Sequence, residues 1–325
     1  MKMNNCTDCE VKTNNLTNIN PLSAPIASMG LLVSMVITTV NLTVLLIFLK
    51  SKSVRANRHH NLVICLSICD LSIGLSGFIA SIRMLIPAWS GLYVPCILSS
   101  VIVGVGVFMS LFQTFLISFH RFLVAIGSPW NDRLLQGKRK YAIYSLSWSV
   151  VLALHYALIR PYSENLDICN IQIVYGKNFK FFMGGYGITA MVLMLSTIIL
   201  YLFTLNSVCK RYMRTYAWQI QIEHKTTSAT SSNENTLYNT EAGKKRVFES
   251  LKVVGMIISL LVLLTGPFVV VVFMTLFRFE PSHSLIFITC LLSSINSIIN
   301  PFIYSWKIES LRKEFKMLFQ TCLSY

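Results

Sequence analysis

The chain has 325 residues, of which 54% are hydrophobic and only 13% charged, and it carries a net charge of +15. Soluble domains carry about 25% charged residues, so this chain cannot cover its surface with charge, and the natural solvent for its exterior is lipid. Extended disorder and a nucleic-acid-binding domain both fit poorly, and the positive charge has to be located before it is interpreted.

Residues 1–20 hold no apolar core, so no cleavable signal peptide is expected, and the first apolar run is read as an uncleaved anchor. Asn5-Cys6-Thr7 and Asn15-Leu16-Thr17 are glycosylation acceptors in this tail, so Asn5 and Asn15 are candidate sites. Asn41-Leu42-Thr43 has the same pattern but lies inside an apolar run, out of reach of the glycosylating enzyme.

A membrane span needs about 20 mostly apolar residues. Seven runs qualify: Ala24 to Leu49, Asn61 to Ile82, Pro95 to Phe119, Tyr141 to Ile159, Phe181 to Cys209, Val253 to Phe277 and Ser284 to Trp306. Asp70 is the single charge within them. They are too long for strands. The expected fold is therefore an all-α seven-transmembrane helix bundle over 24–306. A tail of 1–23 precedes it, and a short amphipathic C-terminal helix with its tail follows over 307–325.

Lys and Arg orient the bundle. The loops after the first, third and fifth runs and the C-terminal tail together hold 21 of them, and the other side holds 7. The first side is expected to be cytoplasmic and the N-terminus extracellular, in the plasma membrane. The positive charge then marks topology and attraction to anionic inner-leaflet lipids, and no nucleic-acid partner is expected.

Cys96 opens the third run on the outer side and Cys169 lies in the second outer loop, where a bridge between them would tie the loop over the bundle. Such a bridge would contribute about 2–4 kcal/mol. Cys6 and Cys9 are also outside, with partners undetermined, and Cys65, Cys69, Cys209 and Cys290 read as packing residues. The third inner loop, about 210–246, is basic at both ends, and its Ser-, Thr- and Asn-rich middle implies a solvated segment. Beyond the last run, Ile308, Leu311, Phe315, Leu318 and Phe319 share one helical face bordered by Arg312 and Lys316, the pattern of a helix lying on the inner leaflet. Cys322 follows it as a candidate palmitoylation site.

The run Asn300-Pro301-Phe302-Ile303-Tyr304 resembles the NPxxY motif of rhodopsin-like (class A) G-protein-coupled receptors. Asn296-Ser297-Ile298-Ile299 before it and the amphipathic helix after it extend the match. Asn41, the Leu66 and Asp70 pair, Trp89, Arg121 at 25 residues after Cys96, Trp148 and Pro267 fall at the family's spacings. The resemblance covers about 24 to 322. There are departures: His120 replaces the acidic residue before Arg121, Phe122 replaces a Tyr, Thr265 replaces the aromatic two residues before Pro267, and the fifth helix lacks its Pro. The end of the seventh helix is similar to adenosine and melanocortin receptors, and the subfamily is left unassigned.

The resemblance implies a receptor that converts binding of an extracellular ligand into movement of helix six and activation of a heterotrimeric G protein. Coupling and activation fall to His120, Arg121, Pro267, Asn300, Pro301 and Tyr304. It also implies that Asp70 meets Ser110, Asn296, Ser297 and Asn300 in an oxygen-rich pocket suited to Na⁺ as an allosteric ion. The other reading is a hydrogen-bonded Asp70 with no ion. No other cofactor and no enzymatic activity is expected. Pro267 with Gly266 should kink helix six.

Other classes lack their residues. An opsin needs a Lys where Ser294 stands, and a monoamine receptor needs a carboxylate where Val103 stands. A hydrolase would need clustered His, Asp or Glu, whereas His155 is alone in the fourth helix and reads as a hydrogen-bonded core residue. A channel or transporter is the runner-up class, with an atypical seven-helix receptor that couples poorly to G proteins beside it. The outer mouth carries Arg83, Arg160, Lys177, Lys180 and Arg278 against Glu164, Asp167 and Glu280, a slight basic excess. That leans toward an anionic or neutral small molecule, lipid or peptide ligand. Without the acidic neighbour of Arg121, some signalling without ligand is also expected.

Overall fold

The computed structural model describes residues 23–52, 54, 60–86, 89, 92–130, 138–159, 174–225, 252, 254–277, 282–307 and 309–323. The helices are α1 (Ser23–Lys50), α2 (His60–Leu85), α3 (Tyr93–Ile126), α4 (Lys138–Leu158) and α5 (Phe179–Lys225). Next comes α6, in two segments, Val254–Leu264 and Gly266–Met274, and then α7 (His283–Lys307) and α8 (Glu309–Leu323). No strand occurs among the described residues. Six helices are long and apolar enough to cross a membrane singly, and the two segments of α6 form a seventh span bent by 42°. The protein is a seven-transmembrane bundle, as its apolar runs predict.

The exterior follows from the solvent. Leu32, Leu46, Leu146, Leu154, Val192, Leu202 and Leu263 are exposed around the bundle. Such a belt would be an aggregation surface in water and is a matched surface in lipid. Polar side chains turn inward instead. Asn41, Asp70, Thr197 and Ser297 are buried, with their hydrogen bonds made inside the protein.

Two helices exceed their expected lengths. α3 starts two residues earlier, with Pro95 in its first turn, where the missing N–H costs nothing. It runs on to Gly127, whose φ of 67° ends it, with the Gly127 N–H on Val124 O at 3.1 Å and the Ser128 N–H on Leu123 O at 3.0 Å. α5 is 47 residues long and continues to Lys225, so the third inner loop does not begin at 210. The stretch from Lys210 to Lys225 has neither Gly nor Pro and is dominated by residues that propagate a helix once it is started.

Packing divides the described interior into four clusters, one of them Cys69, Val105, Met109 and Val151 between α2, α3 and α4. At the end carrying Arg121, Val44, Ile47, Leu66, Ile117, Ile257, Ile303 and Tyr304 form one cluster, and Leu311 docks α8 into it. Leu111, Ala190, Met194, Leu261 and Val269 fill the middle between α3, α5 and α6. At the end carrying Cys96, Val174, Tyr175, Phe182, Met183 and Val272 form the last. Here α5 and α6 approach backbone to backbone: a Cβ on Gly187 would lie 2.8 Å from Phe273 Cα. Only the absence of a side chain at 187 permits that contact. The α1–α2 contact is similarly close, with the Ser34 and Thr38 hydroxyls of α1 seated over Gly77 and Gly74 of α2.

Candidate functional site

Asp70 lies at the centre of α2 with no solvent exposure. An isolated carboxylate there would be very costly, so the chain must supply donors. Three converge on it from two other helices. Ser110 of α3 donates to Oδ1 at 3.3 Å, Ser297 of α7 donates to Oδ1 at 2.8 Å, and Asn300 donates from Nδ2 to Oδ2 at 3.1 Å. Ser297 and Asn300 are three residues apart on one face of α7, which is why one helix serves both carboxylate oxygens. No ion pair to Asp70 exists among the described residues.

Asn296 is buried beside them, but it makes no hydrogen bond to Asp70 among the described residues. Three of the four expected partners therefore bond the carboxylate directly. The Oδ1 atoms of Asn296 and Asn300, and the hydroxyl of Tyr304, are buried without a partner. Asn41 of α1 joins the group from behind, donating to Ile37 O at 3.0 Å and to Ser297 O at 3.1 Å. The sequence marked Asn41 only as a landmark; its role as a tie between α1 and α7 needed the structure.

α6 is bent at Gly266 and Pro267, where the sequence predicts a kink. The α-helix of α6 stops at Leu264 and restarts at Gly266, with Pro267 in the first turn of the second segment. Pro267 has no N–H to give to the carbonyl of Leu263, so the helix bends. Thr265 stands at the break, 3% exposed, and its Oγ1 accepts from Ser293 of α7 at 3.3 Å. This cross-link was not legible in the sequence, because Ser and Thr are common in spans and usually bond their own helix. Pro301 sits inside α7 and is buried, next to the buried Asn300 and Tyr304.

At the far end of α3, His120 is buried and Arg121 is half-buried. Arg121 makes no ion pair or hydrogen bond with a described residue. Phe122 meets Phe203 of α5 at 6.4 Å between centroids, and the Tyr201 ring lies over Gly255 of α6. In the family an acidic residue of helix six can also engage the helix-three Arg; Val247 falls at that place in the sequence and Glu249 lies two residues on, and both lie outside the described residues.

At the Cys96 end, Cys96 is fully buried and disulfide-bonded. Its partner lies outside the described residues, as do Cys169, Asn5, Asn15 and the side chain of Cys322. Tyr175, just ahead of α5, is 1% exposed and stacks on Phe182 at 3.8 Å. Burial pushes its hydroxyl well above the usual tyrosine range. His155 donates from Nδ1 to Val151 O at 2.8 Å and packs edge-on to Phe182 at 5.1 Å. It is a hydrogen-bonded core residue. Tyr186 bonds Gly104 O at 3.2 Å, so the α3–α5 corner is held by aromatic side chains and a backbone carbonyl.

No individual curated protein matches the sequence. The family model described as 7 transmembrane receptor (rhodopsin family) matches residues 40–304, from Val40 ahead of Asn41 to Tyr304 at the end of the NPxxY run. That span holds Asp70 with its three donors, Arg121, the α6 bend and the Asn300–Pro301 pair, and the chain is a membrane receptor belonging to the rhodopsin family of seven-transmembrane receptors.

Proposed function

We propose that the protein is a plasma-membrane receptor with its N-terminus outside. It converts binding of a ligand at the Cys96 end into activation of a heterotrimeric G protein at the Arg121 end. The observation that carries this reading is the bent α6, whose two segments meet at 42° with Pro267 at the joint. A helix broken at that point is able to swing its Arg121-end half without disturbing the half that packs on α5 through Gly187. Asn300 and Pro301 give α7 a second adjustable point beside Asp70.

Asp70 fits Na⁺ as an allosteric ion. The carboxylate, the Ser110 and Ser297 hydroxyls and the unpartnered Asn296 Oδ1 would hold it. Bound there, the ion supplies positive charge to a buried carboxylate, and it shifts signalling only through unequal affinity for the resting and active bundles. The chain's own part is to hold the carboxylate between α2, α3 and α7, so that a change in any one of them is felt by the others.

The ligand reading combines two features. The basic excess at the mouth includes Arg83, Lys177 and Lys180, and the Cys96 end of the bundle is packed with the aromatic side chains of Tyr175, Phe182 and Tyr186. An anionic or neutral small molecule, lipid or peptide matches that combination. Cys96 paired with Cys169, glycosylation at Asn5 and Asn15, and palmitoylation at Cys322 complete the proposal.

The test is expression in cells against a broad ligand library, read across several G-protein families. Epitope tags at both termini of intact cells check the orientation. A surface-expressed receptor with neither basal nor ligand-driven output in any G-protein channel would overturn the coupling. A tag after Tyr325 exposed on intact cells would overturn the topology.

A further inference from the structure

The hydroxyls of α7 divide into two kinds. Thr289, Ser294 and Ser305 return their hydrogen bonds to carbonyls of their own helix, at 2.8, 2.9 and 3.0 Å. Ser293 and Ser297, one turn apart, reach across to other helices instead, Ser297 to Asp70 and Ser293 to Thr265. The second contact lands on the break in α6. Thr265 has φ −98° and ψ −25°, and its hydroxyl makes no capping bond to the segment that starts at Gly266. It is spent on α7.

Packing at the joint itself is open. A Cβ on Gly266 would find only Met194 Sδ within 4 Å, at 3.8 Å. Packing beside the break is therefore ordinary contact with a flexible side chain. The polar contact is different in kind. Thr265 and Ser293 are 3% and 9% exposed, so water does not readily replace either partner when they part. Two buried hydroxyls left unpaired cost more than their pairing gained.

We propose that the Thr265–Ser293 hydrogen bond is a latch that sets the resting bend of α6. Thr265 lies on the Leu264 side of Gly266 and Pro267, so any swing of the Val254–Leu264 segment about that joint carries Thr265 with it. The swing has to withdraw its Oγ1 from Ser293, which stays with α7. The latch thus opposes the movement and releases it once broken. It rests on the receptor reading above only in assigning that swing to activation.

The test uses the full-length receptor, purified without ligand, with spin labels at Val124→Cys and Lys252→Cys in a Cys209→Ser, Cys322→Ser background. These positions report the separation of α3 and α6 at the Arg121 end. Thr265→Val and Ser293→Ala each remove one side of the bond with little change of volume. Each should raise the long-distance population about 2- to 10-fold, the ratio set by one neutral hydrogen bond. The double variant should go no further than the larger single, and Thr265→Ser, which keeps the hydroxyl, should restore the parent distribution. Parent-like distributions in both singles, or additive shifts in the double, would overturn the latch. Basal G-protein output is read in parallel: a distance shift without added signal supports the latch while counting against the proposed coupling.

Discussion

Asp70→Asn separates an ion-binding carboxylate from a structural one. The carboxylate accepts from Ser110, Ser297 and Asn300 at 3.3, 2.8 and 3.1 Å. An amide offers one acceptor and one donor in the same volume. The two Ser hydroxyls are able to rotate, and an amide flip of Asn300 would turn its unpartnered Oδ1 toward the new donor. All three contacts therefore survive in neutral form, and the fold should tolerate the change. Each loses its charge assistance, which separates about 1.5–3 from about 1 kcal/mol, offset by no longer burying a charge. What cannot survive is the attraction for a cation. With Na⁺ at about five times its dissociation constant, binding stabilises the folded receptor by RT ln 6, about 1 kcal/mol. For a chain of this size that corresponds to a thermal shift of about 1–2 °C. The assay is thermal unfolding of purified receptor in NaCl against choline chloride at equal ionic strength. The parent should show the shift and Asp70→Asn should not. An equal shift in the variant, or none in the parent, would refute the ion site, and a variant that fails to reach the surface would refute the reasoning about the flip.

Gly187→Ala should lower thermal stability, because its Cβ would lie 2.8 Å from Phe273 Cα and 2.9 Å from Phe273 N, backbone atoms that cannot step aside. The expected cost is about 1–3 kcal/mol, whereas Gly185→Ala, two residues away with nothing within 4 Å, should be neutral or slightly stabilising in the same melt. Cys96→Ser and Cys169→Ser should reduce surface delivery by equal amounts, with no further loss in the double variant, since one bond is lost in each case. Additive losses measured by flow cytometry would assign Cys96 a different partner.

Much of the bundle is legible in the sequence because lipid imposes a length and a composition on every span. The seven apolar runs and the seven spans agree to within a few residues, except where α3 and α5 extend beyond the hydrocarbon. Hydropathy cannot see those extensions, since a polar helix such as Lys210–Lys225 looks like a loop to it. The Asp70 pocket was legible for a different reason: one buried charge demands partners, and the motif spacing says where they are. Spacing places Asn296 on α7 with the other partners, but it does not say which atom bonds which, and the Asn296 Oδ1 has no partner among the described residues. The contacts that stayed hidden join residues with no signature of their own. Thr265 with Ser293, Tyr186 with the Gly104 carbonyl, and Tyr175 stacked on Phe182 depend on how helices rotate against each other, which one chain's periodicity does not fix.

His120 beside Arg121 gives the last expectation. In most members of the family a carboxylate at that place holds the Arg, and neither residue here supplies one. Neutral imidazole is a weaker acceptor, and imidazolium repels a guanidinium. Arg121 is half-buried, and no described acceptor engages it. Among the described residues the resting state thus offers Arg121 no charge-assisted contact, and the gap between resting and active states is expected to narrow. A loss of only about 1.4 kcal/mol raises a small active fraction nearly tenfold. The Thr265–Ser293 bond works in the opposite direction, so basal output should be measurable without being maximal. His120→Asp restores the carboxylate and should lower basal signalling at matched surface expression, up to about tenfold by the same ratio. Glu249→Ala should raise it if that residue is the substitute partner of Arg121. The two variants separate the cases: a fall in the first alone places the missing contact at position 120, and a rise in the second places a surviving one at position 249. A parent without basal output, and variants that do not differ from it, would sink the idea and leave the helix-three Arg of this receptor free of any carboxylate restraint.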